Sequence, residues 1–138
     1  MADATKESFE ELLDLYPLDF VIPQKIREEL LRKGIAVSVH GDKRMAPRFR
    51  TNGSAIMSWI SSPEAMPQPQ PTRQVVVRDL SKTGVCILTS SEWYPEQVCR
   101  LQFAVGEMTA RVMRARRLGQ RCFEIGLRVI KFERNDGE

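Results

Sequence analysis

The sequence has few of the residues on which most metal sites and hydrolytic triads depend. His40 is the single histidine among 138 residues, so an imidazole-based metal site or a serine-type triad has little to draw on. The carboxylates are scattered along the chain without a catalytic spacing. We therefore expect no enzymatic activity, no metal centre and no cofactor.

Cysteine and long apolar runs are also scarce. Cys86, Cys99 and Cys122 are odd in number, lie in apolar strand-like contexts and lack a paired metal spacing, which predicts buried reduced thiols. No stretch approaches the roughly 20 apolar residues that a membrane span needs. The acidic amino-terminal segment lacks the basic start and apolar middle of a signal peptide. We expect a cytoplasmic protein without a membrane partner.

The composition is that of an ordinary globular protein, with 42% hydrophobic and 28% charged residues. The length suits one domain with an extension. A formal charge of +3 is mild, but the basic residues form two clusters, at 43–50 and 111–121. The second cluster predicts a solvated hairpin rather than a nucleic-acid surface, because no aromatic residues alternate with its arginines.

The first 40 residues predict a helical extension. Ser8 and Glu11 have the spacing of a capping box, the apolar residues that follow share one helical side, and Pro17 ends the pattern. A second helix is predicted over 23–33, where Pro23 suits the first turn. Residues 35–39 then have an extended pattern.

Residues 41–138 predict β-structure after a basic loop. Six apolar segments, several with strict alternation, are separated by short turns. They begin near Ser54, Val75, Val85, Cys99, Met108 and Phe123. The proline-rich stretch 61–72 predicts a protruding loop between the first two strands, and the polar tail 133–138 predicts a frayed end. Six strands with no intervening helix predict an antiparallel barrel or sandwich.

A strand, a tight turn and a second strand surround Asp79, Ser81 and Gly84. Because side chains alternate along an extended chain, Asp79 and Ser81 are predicted on the same face as Val75 and Val77. Two polar groups would then end an apolar face. Gly84 either supplies a positive φ for the turn or allows another group to approach the backbone closely.

The motif Arg44-x-x-x-Arg48 followed by Asp79-x-Ser81-x-x-Gly84 resembles the two-part signature of PilZ domains. These are small bacterial β-barrels that bind the second messenger cyclic di-GMP. The strand pattern after residue 40 is similar to the barrel of that family. The resemblance implies a mainly β chain, with a six-stranded antiparallel PilZ-type β-barrel over 41–138 and an N-terminal helical extension over 1–40.

The resemblance implies that Arg44, Arg48, Asp79, Ser81 and Gly84 bind cyclic di-GMP. An arginine fork can meet the O6 and N7 acceptors of guanine, and it can equally clamp a phosphate. An aspartate and a serine hydroxyl can accept from the N1 and N2 donors on the other edge of the base. We expect ligand binding to order the arginine loop and to reposition the helices toward a downstream protein partner.

Two further positions leave alternatives open. Lys43 precedes the first arginine, where a second arginine in the family often accompanies a stacked pair of ligands; a lysine lacks the planar fork. One or two ligands per chain are therefore both compatible with the sequence. Arg114 alternates with Ala110 and Val112 and could project from their face at the barrel mouth, although Met113 makes the other register nearly as apolar.

Two other functions are compatible with the sequence. One is a PilZ-like protein-interaction adaptor that does not depend on ligand, in which the apolar stripe of the N-terminal helices docks a partner. The other is a basic nucleic-acid binder, which predicts steep salt dependence and little preference for the cyclic dinucleotide. The presence of both Arg44 and Arg48 favours the ligand-dependent receptor.

Overall fold

The computed structural model describes residues 4–33, 53–65 and 68–134. Within these ranges the chain forms two helices and six strands. They are α1 (Ala4–Leu15), α2 (Gln24–Lys33), β1 (Ser54–Ser61), β2 (Arg73–Leu80), β3 (Gly84–Thr89), β4 (Val98–Phe103), β5 (Gly106–Gly119) and β6 (Cys122–Arg134). The extended stretch predicted over 35–39, the basic loop and the predicted domain boundary after residue 40 lie outside the described residues.

The six strands form a closed antiparallel barrel in the order β1-β2-β3-β6-β5-β4. β1 closes it, because β1 pairs with β2 on one side and with β4 on the other. β5 and β6 are the longest strands, with 14 and 13 residues, and pair with each other from end to end. The predicted fold class, a mainly β chain with a six-stranded antiparallel barrel after two helices, is confirmed.

Alternating apolar side chains fill the barrel interior, with contributions from all six strands. The buried cluster consists of Ala55, Met57, Val75, Val77, Val85, Ile87, Trp93, Cys99, Leu101, Phe103, Met108, Ala110, Val112, Ile125 and Leu127. Trp93 joins it from the connection between β3 and β4. Burying each side chain of valine or leucine size stabilises the fold by about 1.5–3 kcal/mol, so this cluster is the main source of barrel stability.

A second apolar layer lies outside the barrel, where α2 and the segment before it cover β2, β3 and β6. Leu30 of α2 is buried there together with Phe20. Val76 and Leu88 face them from the barrel and are direct partners on β2 and β3. Ile26 lies one helical turn before Leu30 and adds to the same stripe. The outward apolar residues of β2 and β3 therefore explain why the helices dock here.

Both ends of the described chain are more regular than the sequence predicts. α1 already includes Ala4, so Ser8 lies inside the helix and the predicted capping box is wrong. Three of the four residues before Ser8 in α1, namely Ala4, Lys6 and Glu7, are good helix formers and extend the helix toward the N-terminus. β6 continues to Arg134. Glu133 and Arg134 pair with Glu107 and Gly106 at the start of β5. The prediction of a frayed end is therefore wrong for Glu133 and Arg134, because β5 supplies partners for their backbone, and residues 135–138 lie outside the described residues.

Gln97 holds the proline-rich connection between β1 and β2 against the barrel. The prediction of a protruding loop is therefore wrong for the residues that Gln97 binds. The side chain of Gln97 is fully buried. Its amide nitrogen donates to the Ser62 hydroxyl and to the Gln68 carbonyl, both at 2.9 Å. Its oxygen accepts from the Gln70 amide at 3.0 Å and from the Tyr94 backbone N–H at 2.8 Å. One side chain thus hydrogen-bonds to both the β1–β2 connection and the β3–β4 connection.

The three cysteines are free thiols, as the sequence predicts. Cys99 and Cys122 are buried, whereas Cys86 is only half-buried. Burial raises the pKa of Cys99 to about 12 and also raises the pKa of Cys122. Both thiols are therefore protonated at neutral pH.

Candidate functional site

A β-bulge in β2 sets the direction of Asp79. Val77 pairs with Ile87, but Asp79 already pairs with Cys86, so Arg78 is an extra residue on β2. Directly opposed residues of an antiparallel pair project to the same face. Cys86 lies between two core residues of β3 and faces outward. Asp79 therefore faces outward too, and its predicted placement on the face of the buried valines is wrong, because the bulge resets the alternation.

Reciprocal hydrogen bonds between Ser81 and Gly84 close the turn that follows. The Ser81 backbone N–H donates to the Gly84 carbonyl at 2.9 Å, and the Gly84 N–H donates to the Ser81 hydroxyl oxygen at 3.1 Å. The Asp79 carboxylate accepts from the Leu80 N–H at 3.0 Å. The side chains of Asp79 and Ser81 nevertheless remain exposed, so both have acceptor capacity left for a ligand.

Gly84 is required for close backbone approach. A Cβ at this position would lie 3.1 Å from the carbonyl oxygen of Leu127 on β6. Gly53 is the only glycine of the described ranges with a positive φ, so the turn at Gly84 does not use the left-handed region. Of the two alternatives that the sequence leaves open, the structure supports close approach.

An open cavity of about 280 Å³ lies on the outer surface beside this turn. Three of the five predicted site residues, Asp79, Ser81 and Gly84, line it together. Arg114 of β5 and Arg128 of β6 line it as well. Strand pairing places these two arginines beside Gly84, because β6 pairs with β3 on one side and with β5 on the other.

Arg114 lies across Gly126 at the cavity. The register of β5 shifts between Val112 and Arg114, with Met113 as the extra residue. Val112 therefore faces the core while Arg114 is exposed, so of the two registers that the sequence leaves open, the one that places both on a shared face does not hold. A Cβ on Gly126 would lie 3.1 to 3.3 Å from Cγ, Nε and Cζ of Arg114. The absence of a side chain at Gly126 thus allows the guanidinium group to lie against the backbone of β6.

The cavity carries uncompensated positive charge. Among the residues that the structure describes, Arg114 and Arg128 have no carboxylate partner, whereas the nearby Arg78 and Arg116 are both ion-paired. Asp79 is the only acidic residue among the described residues of the lining. Two guanidinium groups and one carboxylate leave a formal charge of +1, which favours an anionic ligand.

An ion-pair cluster next to the cavity joins α2 to the barrel. Arg78 donates to Glu124 on β6 and, at 2.6 Å, to Glu29 on α2. Arg116 donates to the other oxygen of Glu124 at 2.9 Å. Burial acts to raise the pKa of Glu124, but hydrogen bonds from Arg116 and Cys86 and the charge of Arg78 outweigh it and lower the pKa below 4.5. Burial first, and then the charge of Glu124, raise the pKa of Cys86 to about 12.

The two loop arginines of the predicted site, Arg44 and Arg48, lie outside the described residues, and so does Lys43. Their approach to the cavity stays a prediction. Arg128 is a lining residue that the sequence reasoning missed. Its position opposite Gly84 follows from the pairing of β3 with β6, which joins residues 44 positions apart and leaves no local signal in the sequence.

The side chains of the cavity suit hydrogen bonding to an anion rather than metal ligation. Within the described ranges, no three His, Cys, Asp or Glu side chains come together as a metal site. None of the helices in the described part of the chain is long and apolar enough to cross a membrane.

Comparisons of the chain with protein-family models, with curated proteins and with solved structures found no match.

Proposed function

We propose that this chain is a cyclic di-GMP receptor of the PilZ type, a binding module without catalytic activity that acts in the bacterial cytoplasm. One observation supports the proposal most. Asp79, Ser81 and Gly84, the second half of the two-part motif, line one open cavity together with Arg114 and Arg128. A motif that served only as a turn would not need arginines from two other strands beside it.

The groups at the cavity correspond to the chemical features of the ligand. Cyclic di-GMP carries two phosphodiester anions and two guanines. Arg114 and Arg128 can clamp a phosphate or meet the O6 and N7 edge of a guanine. Asp79 can accept from guanine N1 and N2, and the Ser81 hydroxyl can accept or donate. Each polar edge of one guanine nucleotide thus has a counterpart in the lining.

The cavity is small for the whole ligand. Pockets that enclose a drug-sized molecule span roughly 300–1,000 Å³, whereas this one measures about 280 Å³ and is open. We infer that it holds one guanine with its phosphate, and that Arg44 and Arg48 cover the remainder. The two negative charges of the ligand would offset the repulsion between the basic groups of the loop.

Isothermal titration calorimetry of the full chain with cyclic di-GMP tests the proposal and reports whether one or two molecules bind. Arg48→Ala and Asp79→Asn are each expected to weaken binding about tenfold to a hundredfold, because each removes a charge-assisted hydrogen bond. Arg100→Ala is the matched control, since Arg100 pairs with Glu107 on β4 and β5 and does not line the cavity.

No heat of binding at ligand concentrations of about 50 µM would contradict the proposal. Equal binding by wild type and by both site variants would show that the loop and the turn are not the site. Cyclic di-AMP serves as a second ligand, because adenine lacks the O6 acceptor and the N1 donor to which the arginines and Asp79 are assigned.

A second candidate is a PilZ-like adaptor that binds a protein partner without ligand. Three exposed apolar side chains near the end of α1 favour it: Leu15 is 69%, Leu18 41% and Val21 76% exposed. Pull-downs with and without cyclic di-GMP separate the candidates. An adaptor captures the same partner in both conditions and with Arg44→Ala or Arg48→Ala, whereas a receptor changes its partner binding with ligand.

A further inference from the structure

The last part of β6 has one open edge within the described structure. β3 pairs with β6 only as far as Arg128, and the Val129 N–H then donates to the Thr83 carbonyl at 2.9 Å. Over 130–134, β5 is the only described strand that pairs with β6. A strand edge of this kind presents unpaired backbone N–H and C=O groups that can pair with another strand.

Phe132 pairs with Met108 of β5 and shares its face, whereas Lys131 and Glu133 lie on the other face, and Ile130 is the extra residue of a bulge between Val129 and Lys131. Ile130 is 47% and Phe132 42% exposed. The Phe132 ring rests over Gly106, where an added Cβ would lie 2.7 Å from its Cζ, so β5 fixes the ring in place. On the other face, Lys131 Nζ lies 3.6 Å from a carboxylate oxygen of Glu133. Exposed apolar groups beside an open edge are typical of an interaction surface.

The sequence of this edge is complementary to itself. When two copies pair antiparallel about Phe132, the two phenylalanines face each other. Lys131 of each copy then faces Glu133 of the other, which gives two opposite-charge pairs. Aromatic pairs and opposite-charge pairs directly across an antiparallel ladder are stabilising, whereas like charges in those positions are destabilising. The residues of the edge match a second copy of the chain more closely than any other occupant.

We propose that the edge of β6 over 130–134 pairs two copies of this chain into a symmetric dimer. The assembly closes after two copies, because each copy uses the same segment about a two-fold axis. Stable interfaces bury about 1,200–2,000 Å² in total, and five paired residues fall short of that. The dimer is therefore weak, with a dissociation constant on the order of 100 µM. It does not require the cyclic dinucleotide.

Sedimentation velocity of the full chain from about 10 to 300 µM tests the dimer. Lys131→Glu alone places glutamates opposite each other, and Glu133→Lys alone places lysines opposite each other. Each variant is expected to dimerise at least about tenfold more weakly than wild type. An equimolar mixture of the two restores opposite charges at both pairs and is expected to dimerise like wild type. Glu92→Lys makes the same charge change as Glu133→Lys, but in the connection between β3 and β4, and should leave dimerisation unchanged.

Several results would overturn the dimer. They are a wild-type chain that stays monomeric at about 300 µM, single variants that dimerise as tightly as wild type, and a mixture that does not regain dimerisation. Hydrogen exchange adds another: protection, in the dilute monomer, of those amides of 130–134 that point away from β5 would show that another segment of the same chain covers the edge. Circular dichroism verifies that the variants fold, as expected for exposed positions.

Discussion

Gly126→Ala is expected to weaken ligand binding while leaving the free energy of unfolding nearly unchanged. The new methyl group would lie 3.1 Å from Cγ and 3.2 Å from Nε of Arg114, so the Arg114 side chain must move away. Arg114 has a long side chain and is exposed, so it can do so at low cost. Replacing glycine by alanine also reduces the entropy of the unfolded chain, which contributes about 0.4–1 kcal/mol of stability where the backbone tolerates it.

The size of the binding effect follows from the contact that is lost. A hydrogen bond to a charged group contributes about 1.5–3 kcal/mol. Because Arg114 is displaced rather than removed, the loss lies near the lower end, and we expect affinity for cyclic di-GMP to fall about tenfold, or 1.4 kcal/mol. The free energy of unfolding should change by no more than about 0.5 kcal/mol.

Gly84→Ala is the matched comparison. Its new Cβ would also meet a neighbour at 3.1 Å, but that neighbour is the backbone carbonyl of Leu127, which the ladder between β3 and β6 holds in place. We expect this variant to lose about 1–3 kcal/mol of stability, as overpacked sites do.

Urea denaturation and calorimetry on both glycine variants check these expectations. If Gly126→Ala binds cyclic di-GMP as tightly as a wild type that does bind, Arg114 is not part of the site. If both variants lose the same stability, the reasoning that separates a flexible neighbour from a backbone neighbour is refuted.

Three further predictions concern the parts that hold the site in place. The lowered pKa of Glu124 stabilises the fold above about pH 4.5, and this contribution is lost as pH falls through the lowered folded-state pKa. Glu124→Gln should therefore flatten the loss of stability between pH 7 and 3 in urea titrations. An unchanged pH profile would contradict the assignment. Gln97→Leu should cost about 1–3 kcal/mol in the same assay, because the groups it satisfies are left without partners; wild-type stability would show that water replaces the amide. Cys99, with its pKa raised to about 12, should react with a thiol reagent at pH 8 only as fast as the chain unfolds, so rapid labelling under native conditions would show that the barrel opens there.

The local pattern of the sequence determined most of the fold. Strict alternation at Cys99, Leu101 and Phe103 predicts a half-buried strand, and the same residues form part of the barrel core. The apolar repeats before residue 34 predict the two helices. These predictions succeed because the periods of helices and strands are local properties that burial of an apolar face amplifies.

The prediction for the direction of Asp79 was wrong, and the register in which Arg114 shares the face of Val112 did not hold, for the same reason. Asp79 and Arg114 both follow a bulge, at Arg78 in β2 and at Met113 in β5. One extra residue reverses the faces of everything after it. Bulges arise from how a strand must bend to pair with its neighbours, so no alternation pattern within a single strand reports them.

The sequence by itself determined two helices followed by six strands of an antiparallel barrel or sandwich, and its motifs supplied the candidate residues Asp79, Ser81 and Gly84. Only the tertiary structure decided that Asp79 faces outward and that Arg114 and Arg128 join these residues. The physical reason is that periodicity is set by neighbours along the chain, whereas a binding surface is set by the register between strands that are distant in sequence. Register depends on bulges and on the closure of the barrel, which exist only once all six strands have paired.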